Sequence, residues 1–203
     1  EDTDMSKQTL RSILGATAPT SLPKTTALLV IDFQDEYFTG SLPIPNGPQA
    51  LKNANTLIDF ADQQGWPVVH IQHVAPAEAP IFAKHVAIHA GVHQKPNHRL
   101  VQKTSVSVFA STDLADQLKK DGITHVVVCG LMTHACVAGA ARDAVPAGFE
   151  VIVADDASAT RDIVVNDQIQ VSHDVLHNAA LAEISDTFGS VMRTQDVLSL
   201  NVQ

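Results

Sequence analysis

The sequence predicts a three-layer α/β/α, Rossmann-like single domain built on a six-stranded, mostly parallel sheet. Three observations carry that prediction. Short β-branched runs alternate along the chain with stretches of helical periodicity, the pattern of right-handed βαβ crossovers with helices on both faces of a sheet. The runs "TALLVI" and "VVVC" show no polar alternation, as befits strands covered on both sides. Reactive residues end the runs, and ligands of such folds bind at the carboxyl ends of strands. Asp32 ends the first run, Lys103 the third, and Cys136 lies just past the fourth.

The elements follow in order. Residues 1–24 read as an arm, with a short amphipathic turn or helix around Thr9–Leu14 and then loop; the domain proper is 25–203. Strands are predicted over 26–32, 67–74, 100–103, 125–130, 150–155 and 189–192. In "PQALKNANTLIDFADQQG", Leu51, Ala54, Leu57, Ile58 and Ala61 recur at helical spacing and Gly65 is the stop. Residues 75–99, with three prolines and four histidines, read as irregular. "STDLADQLKKDG" is predicted helical, with Ser111 or Thr112 as N-cap and Gly122 as stop. A further helix runs through "ACVAGAARDAVPAG", another from Asp162 to Asp186, and a short one closes the chain at "TQDVLSL".

Composition excludes several function classes. The chain is 45% hydrophobic and 17% charged, with a formal net charge of -9. Nucleic acid and anionic membranes need clustered Lys and Arg, so neither is expected as a partner. The apolar runs are too short to span a bilayer. "EDTDMSKQTLRSIL" has no cationic start followed by an apolar stretch. Two cysteines make no disulfide framework. The expectation is a cytoplasmic protein with reduced thiols. No G-x-G-x-x-G and no P-loop occurs, and no cofactor is expected.

The two cysteines are read differently. Cys129 follows Val126, Val127 and Val128 and should be buried as a small hydrophobe. Cys136 should sit in the first turn of the following helix, where free N–H groups and the helix dipole favour a thiolate. Position alone leaves Cys136 open between a packed thiol and a nucleophile. Asp32 alone could cap a loop, and Lys103 alone could be a surface charge. Together they fit nucleophilic chemistry, which needs a base and gains from a nearby cation. No histidine stands in an obvious Cys–His arrangement; His134 should point elsewhere.

These residues lie in three ordered blocks: "LLVIDFQDEYF", "VQKTSVSVFASTDLADQL" and "VVVCGLMTHACVAGAARDAVPAGFEVIVADDASAT". From Thr26 to Met192 they resemble the isochorismatase-like cysteine hydrolases, a family that includes nicotinamidases, N-carbamoylsarcosine amidase and ureidoacrylate amidohydrolase. The resemblance implies a catalytic triad of Asp32 as base, Lys103 as the cation between charges and Cys136 as nucleophile. It also implies a cis peptide between Leu131 and Met132, and an oxyanion hole made by the backbone N–H groups of Met132 and Cys136. It further implies a homo-oligomer, a dimer or larger.

Departures from the family pattern narrow the substrate. Isochorismatases proper lack the cysteine, so Cys136 argues against vinyl-ether cleavage. The Asp-x-His pair of the nicotinamidase metal site is missing from "HIQHVAPAEAP", which argues against a metal and against nicotinamide. His85, His89 and His93 would share one face of a helix as a metal tripod; the reading adopted is loop histidines, with no metal. His70 reads as a satisfied core histidine. Gln34, Tyr37, His73 and Phe109 are the candidate pocket residues. The function expected is hydrolysis of a small non-peptide C–N bond (amide, carbamoyl, ureido or imide) through a thioester. The alternatives are an isochorismatase-type or thioester hydrolase, or a non-catalytic member that binds a small ligand.

Overall fold

The computed structural model of the protein describes residues 4–203. Strands β1 (Thr26–Ile31), β2 (Val68–His73), β3 (Arg99–Lys103), β4 (His125–Leu131), β5 (Glu150–Ala159) and β6 (Ser190–Met192) form one six-stranded sheet. Its order is β3-β2-β1-β4-β5-β6, and every neighbouring pair is parallel. The chain therefore lays strands outward on one side of β1, then returns to lay the rest on the other. That reversal opens a crevice at the carboxyl ends of β1 and β4.

The apolar runs become strands because both faces of the sheet are covered. Leu28 and Val30 of β1 face one core layer, and Ala27, Leu29 and Ile31 face the other. Helix α1 (Gly47–Gln64) fills the first layer with Ala50, Leu51, Ala54, Leu57, Ile58 and Ala61. It ends, as predicted, at Gly65 in the left-handed region, φ 71°. Helices α2 (Leu114–Lys120) and α3 (Ala138–Ala144) fill the second layer with Leu114, Leu118, Ala140, Ala141 and Ala144. Helix α4 (His173–Thr187) adds Leu181 and Ile184 there, and α5 (Thr194–Leu198) adds Val197 to the first layer.

Gly130 sets the spacing at the crevice. It pairs with Ile31, has φ 139°, and a Cβ there would lie 2.1 Å from the Ile31 carbonyl oxygen. Only glycine permits that approach. The next residue of β1's path, Asp32, is itself left-handed at φ 56°, a region that Asp and Asn enter more readily than most residues.

Four elements differ from the sequence-based expectation. The predicted helix from Asp162 begins only at His173. Before it, Ile163–Val164 pairs antiparallel with Gln170–Val171. β-branched residues favour the extended form, and Asn166 Oδ1 accepts the N–H groups of Gln168 and Ile169 to close the turn. Ser172 then caps α4 by accepting from Val175 N–H. Helix α2 starts after Asp113, which makes no side-chain capping bond; of the two predicted caps, Thr112 Oγ1 accepts the Leu114 N–H at 3.2 Å and Ser111 donates to the Ser107 carbonyl across a preceding turn, Val108–Ser111. Strand β5 runs to Ala159, four residues beyond the predicted 155, past an irregular register opposite Val128 and Gly130. In the arm, Leu10–Ile13 forms the expected turn, while Ser21–Leu22, expected as loop, pairs in parallel with Asn201–Val202. Residues 1–3 of the predicted arm lie outside the described residues.

Candidate active site

Three strands deliver Asp32, Lys103 and Cys136 to one place. Asp32 follows β1, Lys103 is the last residue of β3, and Cys136 lies in a single wide turn, Thr133–Val137, between β4 and α3. All three side chains are buried. The Lys103 ammonium lies 3.1 Å from Asp32 Oδ2 and 3.3 Å from Cys136 Sγ. It also donates to His73 Nδ1 and to the Ser105 carbonyl, each at 3.0 Å.

The electrostatics follow from burial and these contacts. Burial pushes the Asp32 carboxyl up to about 6, against the pull of the Lys103 ammonium 3.1 Å away. Burial, and then the Asp32 carboxylate, push the Cys136 thiol up to about 12, while Lys103 draws it down. At neutral pH the resting pair is therefore a thiol beside a carboxylate. The sequence placed Cys136 in the first turn of the helix. It sits instead in the wide turn before α3, where burial beside an anion opposes a thiolate. Cys129 is buried in β4 with its Sγ against Leu29 O, as the valine run implied.

The turn that carries Cys136 is braced on both sides. The peptide bond Leu131–Met132 is cis. The Met132 carbonyl accepts from Ala135 and Val137 N–H at 3.1 and 3.2 Å. Thr133 Oγ1 lies 2.7 Å from His177 Nδ1 of α4, and His134 Nδ1 lies 2.8 Å from Thr160 Oγ1 beyond β5. His134 is thus turned toward Thr160. The Thr133–His177 contact left no mark in the sequence, because it joins residues 44 apart.

The candidate pocket residues divide. His73 reaches the site, through Lys103. Gln34 spends its whole amide on backbone: Nε2 donates to His73 O and Val86 O at 2.8 and 2.9 Å, and Oε1 accepts from His73 N–H at 2.9 Å. It holds the loop after Asp32. Tyr37 is buried with its ring edge on Phe82, and the nearby Cys136 and Asp32 charges add to burial in raising its pKa. Phe109 stacks on Phe149, with centroids 5.8 Å apart, and packs against the second core layer. It lies on the turn Val108–Ser111.

The histidine-rich stretch forms no helix, so His85, His89 and His93 make no tripod. His89 Nδ1 accepts from Gly91 N–H, and His93 Nδ1 lies 2.9 Å from Asp59. Among the described residues, no group of three or more His, Cys, Asp or Glu is arranged to hold a metal ion. His70 is satisfied in the core: it faces His98 Nδ1 at 2.9 Å, and His98 Nε2 faces Asp62 Oδ1 at 2.9 Å.

Fold and site together define a doubly wound α/β protein with a buried Cys, Lys and Asp gathered at its switch point. Residues 26–196 match the family model described as the isochorismatase domain, and the chain belongs to the isochorismatase family of hydrolases. It is 36% identical over 190 residues to a secreted isochorismatase effector of Verticillium dahliae, covering 92% of this chain and 97% of that protein. It is 29% identical over 191 residues to a maleamate amidohydrolase of Pseudomonas putida, covering 85% of this chain and 84% of that one. Among solved structures, an isochorismatase from Pseudomonas putida superposes with a TM-score of 0.82 at 26% identity, covering 93% of this chain and 97% of that one. Among the described residues, no helix is long and apolar enough to cross a membrane.

Proposed function

We propose that the protein is a cysteine-dependent hydrolase of a small non-peptide C–N bond, working through a thioester. One observation carries the reading: a buried ammonium within 3.3 Å of both a carboxylate and a thiol. As Cys136 Sγ attacks the substrate carbonyl, its proton passes to Asp32. The oxyanion rests on the backbone N–H groups of Met132 and Cys136. Collapse breaks the C–N bond, and Asp32 returns the proton to the leaving nitrogen. Water then attacks the thioester with Asp32 again as base, the C–S bond breaks, and the sulfur recovers the proton from Asp32. Lys103 holds charge balance while sulfur and carboxylate exchange the proton.

The amidohydrolase among the relatives supports a C–N bond. The family description favours a second reading, hydrolysis of a vinyl ether; Cys136 beside Lys103 speaks for the first. The reading includes a cytoplasmic enzyme, resting on two free thiols, with a secreted relative on the other side. It also includes a homo-oligomer. The test is ammonia release by wild type and Cys136→Ala over a panel of small amides, ureido compounds and imides. Release by wild type alone is the expected result. Equal release by both proteins, or no release from any substrate while a vinyl ether is cleaved, would defeat the reading.

A further inference from the structure

Lys103 has three N–H bonds and four acceptors around it. Two are the charged or nucleophilic partners, Asp32 Oδ2 and Cys136 Sγ; two are neutral, His73 Nδ1 and Ser105 O. His73 is the cross-strand partner of Lys103 in the β2–β3 register, so the two side chains rise from adjacent strands on one face. Because Lys103 donates to Nδ1, the imidazole is neutral with its hydrogen on Nε2. Burial, and then the adjacent ammonium, hold its pKa down to about 4.

The loop after Asp32 is built around this ring. Gln34 clasps the His73 backbone from both sides. Phe82 lies against the imidazole, with centroids 4.6 Å apart. Phe82 is in turn fixed by buried Glu36, whose Oε1 accepts its N–H at 2.7 Å and whose Oε2 accepts Ser41 N–H at 2.6 Å. Phe82 has φ 58°, a conformation that a phenylalanine keeps only where its surroundings impose it. Two buried polar side chains and one strained aromatic thus serve to place a single imidazole.

We infer that His73 is a positioning residue for Lys103: its Nδ1 takes up part of the ammonium so that the remainder is shared between Asp32 and Cys136. Without that acceptor the ammonium moves onto the Asp32 carboxylate. Asp32 becomes a weaker base and the sulfur loses its cation. This inference rests on the proposed roles of Asp32, Lys103 and Cys136.

The test needs no substrate. Cys136 alkylation by iodoacetamide is followed by peptide mass against pH, in wild type, His73→Leu and His73→Asn. Leu keeps packing on Phe82 and loses the acceptor; Asn keeps an acceptor at the Nδ1 position and loses packing. Wild type should show an acid limb near pH 6, where Asp32 takes its proton. In His73→Leu the limb should move down by roughly 0.5 to 1 unit and the plateau rate should fall about 10-fold. His73→Asn should resemble wild type. If the Leu protein does not fold, His73→Gln, whose acceptor sits nearer the Nε2 position, stands in for it with the same expectation. A folded Leu or Gln variant with the wild-type limb and rate overturns the role of His73, as does an equal shift in Leu and Asn. A wild-type profile with no acid limb instead defeats the triad reading on which the inference rests, and the inference with it.

Discussion

Cys129 and Cys136 stand seven residues apart on one strand and the turn that leaves it, and both are buried. Burial raises the pKa of both thiols. Their surroundings differ in kind. Cys129 is packed among Leu28, Val30 and Val127 in the first core layer and faces one carbonyl oxygen. Cys136 faces an ammonium and a carboxylate. Removal from water therefore silences one thiol, while the same removal makes the other dependent on two charged neighbours. On the proposed reading, reactivity is set by these charged partners and not by exposure.

The contrast can be broken or sharpened by mutation. Cys136→Ala should abolish turnover, a loss of about 10⁴-fold or more, while Cys129→Ala stays within about 3-fold of wild type. Ammonia release under substrate saturation separates these outcomes; comparable losses would erase the distinction. Asp32→Asn should cost about 10³-fold with the fold intact, since Asn tolerates the left-handed φ of Asp32 and accepts Lys103. Circular dichroism alongside the assay checks both halves. Lys103→Met should reduce activity comparably and also lower stability by roughly 3 kcal/mol, because it leaves a buried carboxylate unpaired. Urea midpoints measure the second effect, and an unchanged midpoint would show that Asp32 finds another partner.

Smaller effects follow from pH. Activity should fall as pH drops through about 6, where Asp32 is protonated. Stability should also fall on acidification, by a different count. The folded pKa values of His70 and His73 lie near 4, below their ordinary 6.5, and that of Asp32 lies near 6, above its ordinary 3.8. Between pH 4 and 6 the unfolded chain binds a proton at each histidine, while the folded chain binds one at Asp32. The unfolded state then holds a net excess of about one proton, so stability rises with pH across that window. Melting temperatures from pH 4 to 6.5 test the sign; a flat or falling curve contradicts it. The smallest effect is Cys129→Ala itself, which should cost about 1 kcal/mol from the void left in a tight layer.

The same division explains what the sequence revealed. All six strands were legible, because a strand covered on both faces is an unbroken apolar run. Asp32, Lys103 and Cys136 were legible as strand-end residues in family blocks. The hairpin at 163–171 was not, since its turn depends on the Asn166 side chain closing on two particular N–H groups. Nor was the partnership of His73 with Lys103. They lie thirty residues apart and meet only because the parallel register sets one opposite the other. Periodicity marks which residues face a layer; it does not carry register. Phe109 fits the family block and stacks on Phe149, a contact that depends on how one helical turn is rotated.

The central claim is that charged partners, not exposure, distinguish the two thiols. The most direct test labels native wild type and Asp32→Asn with iodoacetamide at pH 7 and quantifies the two cysteine peptides by mass. The account predicts that Cys136 is labelled in the native protein, that Asp32→Asn slows this about 10-fold or more, and that Cys129 is labelled only after unfolding. Labelling of both cysteines together, at a common rate and indifferent to Asp32, would contradict it.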